Sequence, residues 1–281
     1  MKNKIQKFLL NDLDVRGVIV HLDSEWQELL SRRSYDSHIN ELLGQSTAAT
    51  LLMSANVKFE GNLLLQLQSQ GALSMLLVQA DNNNHFRALA QCEKSNELSL
   101  TQMTPDGLIA IIIEAKIGEK PYQGLVGIES DSMAENLETY FNQSEQLKTL
   151  LVLRADNEQI AGILLQVLPN ANISDDDWQR LRHISETLNL AELKTTDTQT
   201  MIERIFAEDD KTVYEPSPAK FECGCSDERT LSMLSALDES ELKEIVEAQE
   251  SVVVGCDFCG KQYEHDVATI AALLSNKIHP N

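Results

Sequence analysis

The sequence predicts an α+β protein. Residues 1–169 form an N-terminal domain of mainly antiparallel sheet with helices, 170–221 an amphipathic helical linker, and 222–281 a small C-terminal four-cysteine domain. Three observations carry this reading. From Leu63 to Leu168 strand patterns follow one another as hairpins with few crossover helices, the connectivity of an antiparallel sheet. From Ser174 to Phe206 the apolar residues recur at helical spacing. From Phe221 to Tyr263 the chain holds four of its five cysteines in two close pairs.

The elements follow in order. The β-branched run Val15 to Leu22 predicts a strand. Ser24 with Gln27 has the form of a capping box and starts a helix through Leu30. Ser37 to Val57 predicts a second helix, with Ile39, Leu42 and Leu43 on one face and Leu51 and Leu52 further along. Leu63, Leu65 and Leu67 alternate with Gln66 and Gln68, a strand with one wet side. Ala72 to Ala80 and His85 to Cys92 flank the turn-rich Asp81 to Asn84 and form a hairpin. Leu108 to Lys116 and Tyr122 to Ile128 flank Gly118 to Pro121 and form another. A helix from Ser132 to Asn142 follows, then a third hairpin from Leu150 to Arg154 and Ile160 to Leu168.

Pro169 and the polar Asn170 to Asn172 mark a domain boundary. Ser174 caps a helix whose Asp175, Asp176 and Asp177 complement the N-terminal dipole. Trp178, Leu181, Ile184 and Leu188 lie on one stripe, and Met201, Ile202, Ile205 and Phe206 on the next. Two short amphipathic helices are not stable alone, so both stripes must pack on something. They either complete the main core permanently or dock as a releasable linker. Pro216 and Pro218 break the chain before the cysteines. Beyond them, Asp238 and Glu241 cap a helix carrying Leu242, Ile245 and Val246. Ser251 to Val254 and Lys261 to Glu264 flank the second cysteine pair, and Asp266 caps a final helix with Val267, Ile270 and Leu274.

The cysteines carry the chemistry. Cys223-Gly224-Cys225 and Cys256-Asp257-Phe258-Cys259 are separated by one acidic, helix-patterned segment. Two such pairs read as a tetrahedral four-cysteine zinc site, against the bland alternative of four unrelated buried thiols. Thiolates suit zinc or an iron–sulfur cluster. Gly224, Gly255 and Gly260 are expected to let the backbone bend around a metal. The first pair is shorter than structural zinc sites use, and a disulfide closed across it would be strained and easily reduced. That suits a reversible switch better than a permanent staple. His265 and His279 lie nearby, but with four thiolates available neither is expected to be a ligand.

Phe221-Glu-Cys-Gly-Cys-Ser-Asp-Glu-Arg229 and Val254-Gly-Cys-Asp-Phe-Cys-Gly-Lys-Gln-Tyr263 resemble the bacterial heat-shock protein 33 family of redox-regulated holdase chaperones. Val213 to Pro216, Tyr122 to Gly127 and Tyr140 to Gln146 also match, so the resemblance covers essentially the whole chain. Some members carry a further cysteine in the helix before the Tyr-Phe pair; here Met133 to Phe141 has none. Cys92 instead stands alone in a strand pattern and reads as a small buried hydrophobe. The resemblance implies one Zn2+ on Cys223, Cys225, Cys256 and Cys259 in a reduced, inactive state. Peroxide or hypochlorite, helped by mild heat, would form Cys223–Cys225 and Cys256–Cys259 disulfides and release zinc. The metal unit would unfold and free the linker with its contacts Trp178, Leu181, Ile184, Leu188, Ile202, Ile205 and Phe206. The activated chain would dimerise and bind unfolded or partly unfolded client proteins, preventing their aggregation under oxidative and heat stress.

Composition excludes several other classes. The net charge of −21 is spread along the chain, so no segment offers a basic face to a phosphate backbone and nucleic acid is not an expected partner. That charge would keep a complex with unfolded protein soluble. The apolar run after the basic Met1 to Lys7 is too short for a signal peptide, and Leu108 to Ile113 is too short to span a membrane. A reducing cytoplasm suits cysteines in metal spacing. The GxxG of Gly124 to Gly127 lies inside a strand pattern and is no phosphate loop. His21, His38 and His85 have no carboxylate or cysteine partner in local spacing, and Glu114 and Glu129 read as solvent-side residues. No nucleophile constellation emerges, and a binding protein is expected in place of an enzyme. A thiol–disulfide oxidoreductase using Cys256 and Cys259 is one alternative. It would place its CxxC after a strand at a helix N-terminus, and it leaves the second pair over. A plain zinc-stabilised interaction module is the other, and it gives no reason for the short CxC.

Overall fold

The computed structural model describes residues 2–57, 59–93, 98–115, 121–249 and 251–278. The chain divides into two compact units after Glu222. The fold is α+β with large antiparallel sheets, as expected.

The first unit opens with β1 (Lys4–Leu10), which the sequence pattern did not reveal because Lys4 and Lys7 interrupt its apolar residues. There follow β2 (Val15–Leu22), α1 (Ser24–Ser31), α2 (Ser37–Asn56), β3 (Gly61–Gln68), β4 (Leu73–Asp81), β5 (His85–Cys92) and a single turn, α3 (Leu100–Met103). Next come β6 (Leu108–Ala115), β7 (Tyr122–Gly127), α4 (Met133–Tyr140), β8 (Thr149–Ala155) and β9 (Ile160–Val167). The predicted turn residues Gly118 to Lys120, with Lys116, lie outside the described residues. After α4 the chain makes a π-helical turn over Phe141–Glu145 in place of the last helical residues expected there. The unit closes with α5 (Asp175–Glu186), α6 (Leu190–Leu193), α7 (Thr198–Ile205), β10 (Lys211–Val213), β11 (Ser217–Pro218) and β12 (Lys220–Phe221).

These strands form two sheets. The first runs β10-β1-β2-β9-β8, with β11 also on β1, and the second runs β12-β5-β4-β3-β6-β7. Every pairing is antiparallel except β12 with β5. α2 packs against strands of both sheets. It is buried almost all round, not on one face. Its middle is rich in small residues, Gly44 and Ser46 to Thr50 among them. A Cβ on Gly44 would meet Ala155 and Ile160 at 2.7 Å. The buried Ser46, Thr47 and Thr50 hydroxyls donate to the carbonyls of Leu42, Leu43 and Ser46, so none of these three is stranded. The N-cap of α1 is Asp23, which accepts from Ser24 N. The expected Ser24–Gln27 box is absent because Asp23 holds the N-cap, which places Ser24 inside the helix and Trp26 at the third position; Gln27 Nε2 donates to Glu158 O. In β3, Leu63, Leu65 and Leu67 are buried and Gln68 is exposed, the alternation the sequence predicts.

The second unit holds α8 (Asp227–Ala236), α9 (Glu239–Ala248), the hairpin β13 (Val252–Gly255) and β14 (Gln262–His265), and α10 (Val267–Ile278). Two helices therefore separate the cysteine pairs where one was expected. Its core is small: Leu234, Leu242 and Ile270 are buried, with Ile245, Val246 and Leu274 half-buried against them.

Candidate metal centre

Both cysteine pairs lie on turns of the second unit, and the fold brings all four sulfurs within 4.8 Å of one another. Cys223 Sγ stands 3.5 Å from Cys256 Sγ and Cys225 Sγ 3.4 Å from Cys259 Sγ, so these contacts run across the two pairs. A tetrahedral zinc with Zn–S bonds of about 2.3 Å sets its sulfurs about 3.8 Å apart. The donor set is therefore gathered as a four-thiolate metal requires.

Local sequence explains each turn. After Cys225, Ser226 caps α8 by accepting from Arg229 N, and Arg229 Nη1 donates to Gly224 O at 2.6 Å. The first pair thus sits at a helix N-terminus, where the dipole favours thiolate over thiol. In the second pair Gly260 N donates to Cys256 O at 2.8 Å and Cys256 N to Lys261 O at 2.9 Å, closing the turn. Gly260 alone of the three glycines needs its freedom, with φ of 68°. Gly224 and Gly255 do not adopt a left-handed backbone, and a Cβ on Gly255 would meet nothing within 4 Å.

Tyr263 Oη donates to Cys225 Sγ at 3.1 Å, a contact that motif spacing alone does not reveal. Burial pushes the Cys225 thiol up, but the Tyr263 hydroxyl and the neighbouring sulfurs outweigh it and hold the thiol down at about 7. Burial pushes Cys223 and Cys259 up. The hydrogen bond to Cys225 pushes the Tyr263 phenol up in turn. The Cys225 thiol ionises readily near neutral pH. Cys223 and Cys259 need a cation among the sulfurs before their protons leave, as metal binding requires. His265 is buried and shares a 2.9 Å hydrogen bond with Thr230 Oγ1, outside the sulfur cluster. His279 lies outside the described residues.

The predicted linker contacts sit in the first unit. Trp178, Leu181, Leu188, Ile202 and Phe206 are buried in one cluster with Phe8, Leu10, Ile19, Val152, Ile163 and Leu165 of the first sheet, and Ile184 and Ile205 pack half-buried against it. Phe206 meets Phe8 with ring centroids 5.1 Å apart. Polar tethers accompany this packing. Thr198 Oγ1 donates to the buried Gln6 at 2.7 Å, and Gln159 Nε2 donates to Leu190 O at 2.8 Å. Gln6 and Phe8 lie on the unpredicted strand β1, and α7 docks on β1 together with β2.

Cys92 is half-buried, less than expected, and its Sγ donates to Glu93 O at 2.8 Å. Burial, then Asp36 and Glu93, push its thiol up, so it is a poor nucleophile. His85 does have a local carboxylate: its Nδ1 lies 3.0 Å from Asp81 Oδ2 across the hairpin turn. His21 is buried with its Nε2 3.0 Å from Gln159 Oε1. No helix among the described residues is long and apolar enough to cross a membrane.

Known proteins match nearly the whole of this chain. The family model described as "Hsp33 protein" matches residues 3–266. The 33 kDa chaperonin of Nitrosococcus oceani is 35% identical over 99% of this chain and 96% of its own. That of Vibrio parahaemolyticus is 36% identical over 96% and 95%. The crystal structure of the 33 kDa chaperonin from Thermotoga maritima superposes with a TM-score of 0.84 over 99% of both chains at 20% identity, which establishes the shared fold. The chain belongs to the Hsp33 protein family.

Proposed function

We propose that this chain is a chaperone of the holdase type whose activity is set by the redox state of its four clustered cysteines. The observation that carries the reading is the gathering of four sulfurs within 4.8 Å in a unit whose hydrophobic cluster, among the described residues, has just Leu234, Leu242 and Ile270 buried. A core of that size supplies little stability, so ligand-to-metal bonds would supply the rest. Relatives named chaperonin support the chaperone part.

In this reading Cys223, Cys225, Cys256 and Cys259 hold one zinc ion in the reduced state. The ion would keep the sulfurs as thiolates and tie the two turns together. The chain's own groups prepare the site: Tyr263 and the α8 N-terminus stabilise negative sulfur, and Arg229 fixes the first turn through Gly224 O. A two-electron oxidant such as peroxide or hypochlorite takes two electrons from each thiolate pair. Disulfides form as Cys223–Cys225 and Cys256–Cys259, and zinc departs. The metal unit then unfolds and residues 170–221 act as a linker that leaves residues 1–169. Release of Trp178, Leu181, Leu188, Ile202 and Phe206 uncovers the apolar face of the first sheet for unfolded clients. Dimerisation of the activated chain and a cytoplasmic location belong to the same reading.

The test is metal and thiol content together with activity. Freshly reduced protein should hold one zinc per chain and fail to suppress aggregation of a heat-unfolded client. After peroxide it should hold none, carry two disulfides and suppress aggregation. Reduced protein without zinc, or zinc that survives complete oxidation of the four thiols, overturns the switch.

A further inference from the structure

We propose that, once residues 211–222 leave the first unit, the bared edges of β1 and β5 hold extended segments of unfolded protein as added strands. This rests on the holdase reading and specifies how a client is gripped. The starting point is what occupies those edges now. Immediately before Cys223 the chain lies along two sheet edges in succession. β10 pairs with β1 at Leu10↔Lys211, Leu9↔Thr212 and Phe8↔Val213. β11 continues on β1 at Ile5↔Ser217 and Lys4↔Pro218. β12 then passes to the other sheet and pairs with β5 at His85↔Lys220 and Phe86↔Phe221. One strap thus closes an edge of each sheet, and its last residue precedes the first metal-ligand candidate.

The strap is held mainly through its backbone. Tyr214 N donates to Lys7 O at 3.0 Å, Ala219 N to Asn3 O at 3.0 Å, Lys220 N to Asn84 O at 3.1 Å and Glu222 N to Phe86 O at 2.9 Å. Among its side chains only Ala219 and Phe221 are buried, and Tyr214 is 51% exposed. Its fit is also interrupted. Pro216 and Pro218 have no N–H to give, and β12 covers only the first two of eight residues in β5. A continuous extended segment without proline would pair along all seven residues of β1 or further along β5. Such an occupant outmatches the strap.

The chemistry of the edge suits an unfolded chain of any sequence. A sheet edge reads N–H and C=O groups, which every residue but proline carries, and needs no particular side chain. A second copy of this protein is the poorer occupant, because its strap brings the same two prolines. Lys4 and Lys7 on β1 and Arg87 on β5 also discourage pairing between like edges.

The experiment uses the full chain and backbone-resolved amide exchange. Lys7 O accepts from Tyr214, so by strand alternation Ile5, Lys7 and Leu9 point their amides at the strap. The probe is carboxymethylated, permanently unfolded α-lactalbumin, with its binding followed separately by co-sedimentation. Oxidation should speed exchange at Ile5, Lys7 and Leu9 at least about tenfold, and the bound probe should slow it again by a similar factor. If the probe binds while these amides stay fast, or stay protected throughout, the edge proposal is overturned and the holdase reading stands. If they slow with rising protein concentration and no probe, a second copy fills the edge and the proposal is overturned. If the probe does not bind at all, the holdase reading fails and takes the proposal with it. As a second measurement, a valine–threonine peptide as long as β5 should compete with the probe. The same peptide N-methylated at every amide should lose at least about tenfold in competition, since it has no backbone donors to give while its side chains are unchanged. Equal competition by both overturns the proposal.

Discussion

Replacing Phe206 by serine should activate the reduced, metal-loaded chain. Phe206 is fully buried at the end of α7 and packs its ring 5.1 Å from that of Phe8 on β1. Removing a buried aromatic side chain costs about 3–5 kcal/mol, and the lost ring pair accounts for about 0.5–1.5 kcal/mol beyond area burial. Adding Ile202→Ser, in the same cluster, costs roughly 2–5 kcal/mol more, with some overlap between neighbours. The sum approaches the whole stability of an ordinary domain, about 5–15 kcal/mol. α7 has eight residues and cannot persist as a helix once undocked. Leu65→Ala is the control, since Leu65 is fully buried in β3 of the other sheet and its loss also costs about 2–5 kcal/mol. The assay is light scattering of a heat-unfolded client with each variant kept reduced and zinc-loaded, alongside amide exchange across residues 198–205. The Phe206 and double variants should suppress aggregation and exchange rapidly there, while Leu65→Ala should do neither. If α7 is undocked by exchange and the variant stays inactive, linker release is not the gate, and the switch lies wholly within the metal unit.

Three further outcomes follow from particular residues. Peptide mapping after peroxide should find Cys223 joined to Cys225 and Cys256 to Cys259, although the 3.4–3.5 Å sulfur contacts of the reduced fold run across the pairs; Cys92, with its raised thiol pKa, should stay reduced. His21 is buried and desolvation lowers its pKa below the ordinary 6.5, against the opposing hydrogen bond to Gln159. The unfolded chain therefore binds the extra proton first, and stability is lost as pH falls below about 6.5 until the folded-state pKa is passed, by at most about 1.4 kcal/mol per pH unit. His21→Gln should flatten that part of the stability–pH curve measured by urea unfolding, and an unchanged curve would contradict the assignment. Gly124→Ala places a Cβ 2.3 Å from the Tyr140 ring, whose hydroxyl donates to Glu145. It should destabilise the first unit by about 1–3 kcal/mol by overpacking while leaving zinc content at one per chain.

Local pattern determined much of this protein. The hairpins from β3 to β9 were legible because half-buried strands alternate and their turns are rich in Asn, Asp and Gly. The helices α5 and α7 were legible because their apolar stripes and caps, Ser174 among them, are local features. The four sulfurs were legible because metal spacing is written in consecutive residues. Tertiary structure decided the rest, and for one physical reason: its signals are between residues far apart in sequence. The apolar residues of β1 are interrupted by Lys4, Gln6 and Lys7 and follow no strand period, and it becomes a strand by pairing with β2 and with β10 some two hundred positions away. α2 looked one-sided, and its burial all round follows only from having a sheet on each side. The short strands of the strap have no pattern of their own and exist because β1 and β5 offer edges. Tyr263 reaches Cys225 only because β14 returns alongside β13 and carries its hydroxyl to the first cysteine pair.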